Sequence, residues 1–101
     1  MNIEKPINEL ILFALFNLEK SKEKATFEKL IRECFSLFPK SFCFNNFFQW
    51  PDARKLDRPL RTLRKMKLIS GDPKTFFSLT KQGKKQAQEI AKMFRQKTLF
   101  K

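Results

Sequence analysis

The sequence has no histidine and only two glycines and two cysteines among its 101 residues. Without histidine, the chain lacks the most common general base and the most common ligand of transition metals. It also has no cluster of carboxylates and no glycine-rich phosphate loop, and Cys34 and Cys43 are too far apart for a Cys-x-x-Cys pair. We therefore expect neither an enzyme nor a bound metal or other cofactor.

The chain also lacks a long apolar run and a recognisable signal peptide. Its longest apolar run, Leu10 to Phe16, is far shorter than the ~20 residues that a membrane-spanning helix needs. No small-residue cleavage site follows an apolar stretch. The sequence thus predicts a cytoplasmic protein with two reduced, buried thiols, associated with the nucleoid if the source is bacterial or archaeal.

Acidic residues are few, and basic residues are concentrated in the second half of the chain. Lysine and arginine number 22 against 10 aspartates and glutamates, which gives a formal charge of +12. Residues 51–101 hold 15 of the basic and 4 of the acidic side chains, whereas residues 1–50 are nearly neutral. This excess predicts a polyanionic partner, nucleic acid or an acidic membrane surface, and its segregation predicts a binding face in the second half.

The first half of the chain has the pattern of two helices followed by an aromatic segment. Pro6 suits the first position of a helix, and the apolar residues that follow recur at helical spacing. Thr26 is a good N-cap for a second helix, which Pro39 would end. Residues 40–50 have no clean period and predict a packed loop or a short irregular helix. The aromatic residues of 35–50 favour core packing over a stacking platform for bases. Such a platform sets its rings among basic residues, and Lys40 is the only basic residue in this segment.

A basic amphipathic helix is predicted over residues 51–66. Its leucines recur at spacings of three and four, and its arginines and lysines fall on the opposite side at ~100° per residue. Pro59 would lie inside this helix. Either the helix is kinked there, or a short helix ends and a new one begins with Asp57 as its cap. We favour the second alternative.

A short hairpin and a last helix complete the pattern. Leu68 to Ser70 and Thr75 to Leu79 have the composition of strands, and Gly71 to Lys74 between them is a turn sequence. Thr80 is a suitable cap for a final helix, in which Gly83 would allow close backbone packing.

In this order of elements the chain resembles the winged helix-turn-helix family. The resemblance depends on Leu60 to Ile69 (LRTLRKMKLI), like the end of a recognition helix, and on Phe77 to Gly83 (FSLTKQG), like the strand that leads into the last helix. It covers about residues 7–95 and implies one domain over 1–101, mainly α with a small β-hairpin. Two features depart from the family pattern: residues 39–50 are long and aromatic, and the hairpin, or wing, is short.

The resemblance implies double-stranded DNA as the partner and a small transcriptional regulator as the function. The helix of 51–66 would enter the major groove, with the wing tip of 70–75 on the backbone. Base edges are expected to meet Arg54, Arg58 and Arg61, and phosphates are expected to meet the remaining contact residues, which are Lys55, Thr62, Lys65, Lys74, Thr80 and Lys81. The alternative is a winged-helix subunit of a larger assembly that uses this basic face for RNA or an acidic protein partner.

A homodimer is a further expectation, because many regulators of this family pair through their terminal helices. The interface residues would be Leu12, Phe13, Phe16, Met93, Phe94, Leu99 and Phe100. The competing interpretation is that these side chains close the core of a single chain. No membrane partner is expected, because the apolar stripe of the last helix is small and poor in aromatic residues.

Overall fold

Helices form most of the structure and follow the hydrophobic pattern of the sequence. The computed structural model describes residues 6–99, with the side chains of all of these except Phe48 and residues 96–99. Within this range the elements are α1 (Ile7–Lys20), α2 (Phe27–Leu37), α3 (Pro39–Phe42), β1 (Cys43–Phe44), β2 (Phe47–Pro51), α4 (Arg54–Lys65), β3 (Ile69–Gly71), β4 (Phe77–Leu79) and α5 (Lys81–Leu99). The prediction of a mainly helical chain with a small antiparallel hairpin is confirmed, and a second hairpin is present.

Helix α1 lies at the centre and contacts α2, α4, β4 and α5. Ile11, Ala14 and Leu15 are fully buried on it, and Leu10, Leu12 and Leu18 nearly so. A helix that is apolar on nearly all sides is stable only when other elements cover those sides. Here four elements do so, which explains the unbroken apolar run of the sequence.

Lysines end two of the helices where glycine is the usual residue. Lys22 after α1 and Lys67 after α4 both have φ of 60°. After α4 the N–H of Leu68 donates to the carbonyl of Leu63 and that of Lys67 to Arg64, each at 3.0 Å, the pattern of a Schellman motif. A left-handed lysine costs about 1–2 kcal/mol, which these hydrogen bonds and the burial of Leu68 offset.

The β3–β4 hairpin pairs Ile69 with Leu79 and Gly71 with Phe77. The carboxylate of Asp72 holds its turn by accepting from the N–H of Lys74 at 2.8 Å and from that of Thr75 at 3.2 Å. On its other edge, β4 is joined by Ala25 through an antiparallel bridge to Phe77. The hairpin is therefore fixed to the segment between α1 and α2.

The prediction for residues 40–50 is wrong in part, because a four-residue helix leads into the β1–β2 hairpin. Phe44 pairs with Phe47 across a turn of two asparagines, Asn45 and Asn46. The aromatic side chains divide: Phe42 is fully buried in the core, whereas Phe47 and Trp50 are 55% and 58% exposed. Core packing therefore accounts for only some of the aromatic residues in this segment.

Helix α4 runs without interruption through Pro59, so the favoured break with a cap at Asp57 is wrong. Asp52 lies two residues before the first residue of the helix, and its carboxylate accepts a hydrogen bond from the N–H of Arg54 at 3.1 Å. Burial of a leucine stabilises by about 1.5–3 kcal/mol, and α4 buries Leu56, Leu60 and Leu63. Together these outweigh the ~3 kcal/mol that a proline inside a helix costs.

Both cysteines are buried free thiols, as the sequence predicts. Burial raises the pKa of the Cys34 thiol, and the neighbouring charge of Glu33 raises it further. The thiol therefore stays protonated and unreactive in the folded chain. None of the helices within residues 6–99 is long and apolar enough to cross a membrane.

Candidate nucleic-acid interface

The outward side of α4 carries a row of four basic residues, Arg54, Arg58, Arg61 and Lys65, which we name the α4 row. Their spacing of four, three and four places them within about 60° of one another around the helix. All four are exposed, and the three buried leucines of α4 lie on the opposite side. The expectation that the arginines point outward while the leucines point inward is confirmed.

Three members of the α4 row have no acidic partner. Among the residues the structure describes, no carboxylate oxygen lies within 4.0 Å of a charged nitrogen of Arg58, Arg61 or Lys65. Exposed guanidinium groups without a carboxylate keep their donors available to a ligand. The two central arginines are therefore the groups of this row best placed to donate hydrogen bonds to a ligand.

Arg54 differs from the other members because Asp52 holds it. Its Nε lies 3.2 Å from Oδ1 of Asp52, and its guanidinium carbon lies 5.6 Å from the centre of the Phe44 ring. The side chain is nevertheless 79% exposed, whereas that of Asp52 is 8% exposed. Arg54 is thus fixed in direction at the start of α4, and only its terminal nitrogens remain free for a ligand.

Asp52 is ionised more readily than an ordinary aspartate. Its burial opposes ionisation, but the hydrogen bonds from the Arg54 side chain and backbone N–H, with the charges of Arg54 and Lys55, outweigh this and lower its pKa. A carboxyl whose pKa is lowered by folding stabilises the fold above its unfolded pKa, and the contribution is lost as the pH falls through the folded pKa.

Asp52→Asn is therefore expected to lower the free energy of unfolding at neutral pH, and the difference from the wild type should shrink at an acidic pH well below ~4, the ordinary pKa of an aspartate. Urea unfolding at the two pH values measures it. Glu89→Gln is the control, because Glu89 makes only an exposed pair with Lys92 at 4.0 Å and such pairs contribute little. An equal difference at both pH values would contradict the assigned role of Asp52.

The remaining predicted contacts of α4 lie on one flank of the row. Lys55 and Thr62 are half-buried and sit seven residues apart, on the same side of the helix. They can meet a ligand only if it extends past the row to that flank. The structure thus separates a central set of arginines from a lateral set of a lysine and a threonine.

The β3–β4 turn stands beside the other flank of α4. Nη1 of Arg64 donates to the carbonyl of Gly71 at 3.2 Å, which ties helix and hairpin together. A cleft of about 200 Å³ between them is lined by Asp57, Arg61, Arg64 and Pro73 above the apolar Phe27, Leu60 and Phe77. Lys74 is exposed at the turn, so its ammonium extends the cationic surface beyond the helix.

Thr80 is placed differently from what the sequence predicted for a phosphate contact. Its hydroxyl donates to the carbonyl of Lys67 at 2.7 Å and accepts from the N–H of Gly83 at 3.1 Å. The hydroxyl hydrogen is therefore used inside the fold, and Thr80 acts as the cap of α5. Lys81 next to it is exposed and stays a predicted phosphate contact.

The residues predicted for a dimer interface have several different environments. Leu12 is 1% exposed in the core of its own chain, so its assignment to an interface is wrong. Phe13 and Phe94 are half-buried with ring centres 4.8 Å apart; Phe16 is also half-buried. Met93 is 43% exposed, while the side chain of Leu99 and all of Phe100 lie outside the described residues. The dimer stays a prediction.

Sequence reasoning preferred the core over a base-stacking platform for the aromatic residues of 35–50, but the rings of Phe47 and Trp50 are exposed. They stand on β2, just before α4, with ring centres 5.9 Å apart and planes 24° from parallel. The two asparagines between aromatic runs are the signal that could have predicted this hairpin, since asparagine pairs favour tight turns.

The α4 row belongs to a larger exposed face. It combines a row of outward cations on a helix with a hairpin on one side and exposed aromatic rings at the start of the helix. No protein-family model, curated protein or solved structure matches the chain.

Proposed function

We propose that the chain is a winged helix-turn-helix domain that binds double-stranded DNA, with α4 in the major groove and the β3–β4 turn, its wing, on the backbone. Three features support this fold assignment. The four longer helices and the β3–β4 hairpin follow one another in the order of that family, with α3 and the β1–β2 hairpin inserted before α4. Ala25 adds a bridge beside β4, and α4 is the most strongly amphipathic of the four longer helices.

The α4 row is the observation on which the proposal depends. An α-helix fits the width of the major groove, and arginine there can donate two hydrogen bonds to O6 and N7 of a guanine. Arg58 and Arg61 are exposed, unpaired among the described residues and separated by nearly one helical turn, so both can face the groove at once. Sequence preference would come from these two arginines.

Affinity would come mainly from phosphate contacts. Four lysines supply these contacts: Lys65 within the α4 row, and Lys55, Lys74 and Lys81 on the flank of the helix, the wing and the start of α5. Each lysine that neutralises a phosphate releases condensed counterions, so binding weakens as salt rises. Base reading by two arginines and salt-dependent affinity from a few lysines are the properties expected of a small transcriptional regulator that recognises a short DNA site.

Selection from a random duplex pool tests the proposal. The protein is expected to retain duplexes with an enriched motif that contains guanine, and its affinity should fall with salt with a log–log slope of about −4, from four phosphate contacts. Loss of all retention at moderate salt would contradict DNA binding. Retention without an enriched motif would contradict base reading by the arginines and favour RNA or an acidic protein as the partner.

A further inference from the structure

Two large aromatic rings stand in solvent next to the proposed DNA-binding helix. Phe47 and Trp50 are more than half exposed, although neither is needed to fill the core, which Phe42 occupies from the same segment. Burying such rings is strongly favourable, so a small chain exposes them together only at a cost in solubility. Their near-parallel arrangement leaves flat faces on which a further ring can stack.

The hairpin that carries these rings is fixed relative to α4. The Arg54 guanidinium is held between the carboxylate of Asp52 and the ring of Phe44 on β1, and the N–H of Asp52 donates to the carbonyl of Phe42 at 2.7 Å. Helices α2 and α3 also contact β2. The rings are therefore presented from a supported position at the N-terminal end of α4.

The elements next to the rings carry exposed cations. Lys40 on α3 and Arg54 and Arg58 on α4 are exposed, whereas Asp52 is buried and already paired with Arg54. Asp57, the one acidic residue of α4, lies on the flank that faces the wing, in the cleft beside Pro73. Aromatic rings among exposed cations are the combination that binds single-stranded nucleic acid, through stacking on bases and attraction to phosphates.

We propose that Phe47 and Trp50 form a stacking surface for unpaired nucleobases, so that the chain prefers a DNA duplex next to a single-stranded segment over a fully paired duplex. The inference rests on the proposed function, because α4 in the groove is what brings the hairpin to the DNA. Bases inside a duplex are stacked on each other and leave no free face, whereas bases beyond its end do. Charge complementarity favours DNA over an apolar protein surface as the occupant.

The test uses the fluorescence of Trp50, which is the only tryptophan in a chain without tyrosine. The full chain is titrated with a blunt duplex of about 20 base pairs and with the same duplex carrying about five thymidines on either strand end. The extended duplex should quench Trp50 and bind about tenfold more tightly, since stacking of one base is worth on the order of this factor. Anisotropy of a labelled DNA measures the affinity.

Variants of the two rings test whether the β1–β2 hairpin causes the preference for the extended duplex. Phe47→Ala and Trp50→Ala are each expected to reduce the tenfold preference to about one. Both rings are exposed, so the fold should survive, and thermal unfolding checks that it does. Phe76→Ala is the matched control: Phe76 is 41% exposed beneath the ammonium of Lys24, in the wing turn rather than on β2. Its loss acts on both duplexes alike and should leave the ratio of their affinities intact.

The outcomes separate the two proposals. Equal affinity for both duplexes with no quenching overturns the stacking surface and leaves the proposed function standing. Failure to bind the blunt duplex overturns the proposed function and the inference with it. A Trp50 signal that changes with protein concentration in the absence of DNA would overturn the inference by assigning the rings to contact between copies of the chain.

Discussion

Replacing Arg58 and Arg61 together with alanine should reduce the affinity for the selected DNA site by a factor of about 30 or more. Each bidentate contact of an arginine with guanine contributes roughly 1–3 kcal/mol of discrimination. Both side chains are exposed without a carboxylate partner in the described part of the chain, so no internal ion pair is lost. The affinity for random duplex should fall much less, which anisotropy titrations on the two DNAs will measure.

Arg58→Lys separates charge from geometry in this experiment. Lysine keeps the positive charge but lacks the planar fork that donates to two acceptors, so the variant should keep random-duplex affinity and lose preference for the site. Lys92→Ala removes a cation that is paired with Glu89 on α5 and should change neither. An equal loss on site and random DNA for Arg58→Ala would show that the arginines contribute charge alone.

The parts of the fold that the sequence predicts are those determined by periodicity and by helix ends. The spacing of Leu56, Leu60 and Leu63 places them on one side of α4, and this alone directs the arginines outward. Thr26 accepts from the N–H of Lys29 at 3.3 Å, and Thr80 caps α5 in the same way. Such features depend on neighbours within about four residues, which a single sequence contains.

The features that the sequence did not predict depend on contacts between distant segments. Pro59 is tolerated because the leucines on both sides of it are buried by other elements, and propensity alone cannot weigh that burial. The β1–β2 hairpin has a register shift between Cys43 and Phe44, so its strands do not alternate cleanly. Lys67 adopts a positive φ. A glycine would have predicted this backbone conformation, but the sequence has a lysine there.

The start of α5 determines how α4 and the wing are joined. The N–H of Thr80 donates to the carbonyl of Leu68 at 3.0 Å, and its hydroxyl donates to the carbonyl of Lys67. Both carbonyls belong to the turn that connects α4 to β3. The backbone of α5 can approach this turn closely only because Gly83 has no side chain there.

Gly83→Ala is therefore expected to lower the free energy of unfolding by about 3 kcal/mol, the upper part of the usual range for overpacking. A Cβ at this position would lie 1.8 Å from the carbonyl oxygen of Leu68, and a backbone atom cannot move aside as a side chain can. For a chain of this size the melting temperature should fall by about 12 °C or more. Thermal and urea unfolding followed by circular dichroism measure both.

The sign of this change is informative, because alanine in place of glycine in an exposed helix stabilises by up to about 1 kcal/mol. Gln82→Ala, at the exposed neighbouring position, is the control and should be close to neutral. Because the clash acts on the turn between α4 and the wing, Gly83→Ala should also weaken DNA binding at temperatures where the variant is still folded. A higher melting temperature for Gly83→Ala would mean that the backbone of α5 does not lie against the carbonyl of Leu68. It would contradict the fixed placement of α4 relative to the wing.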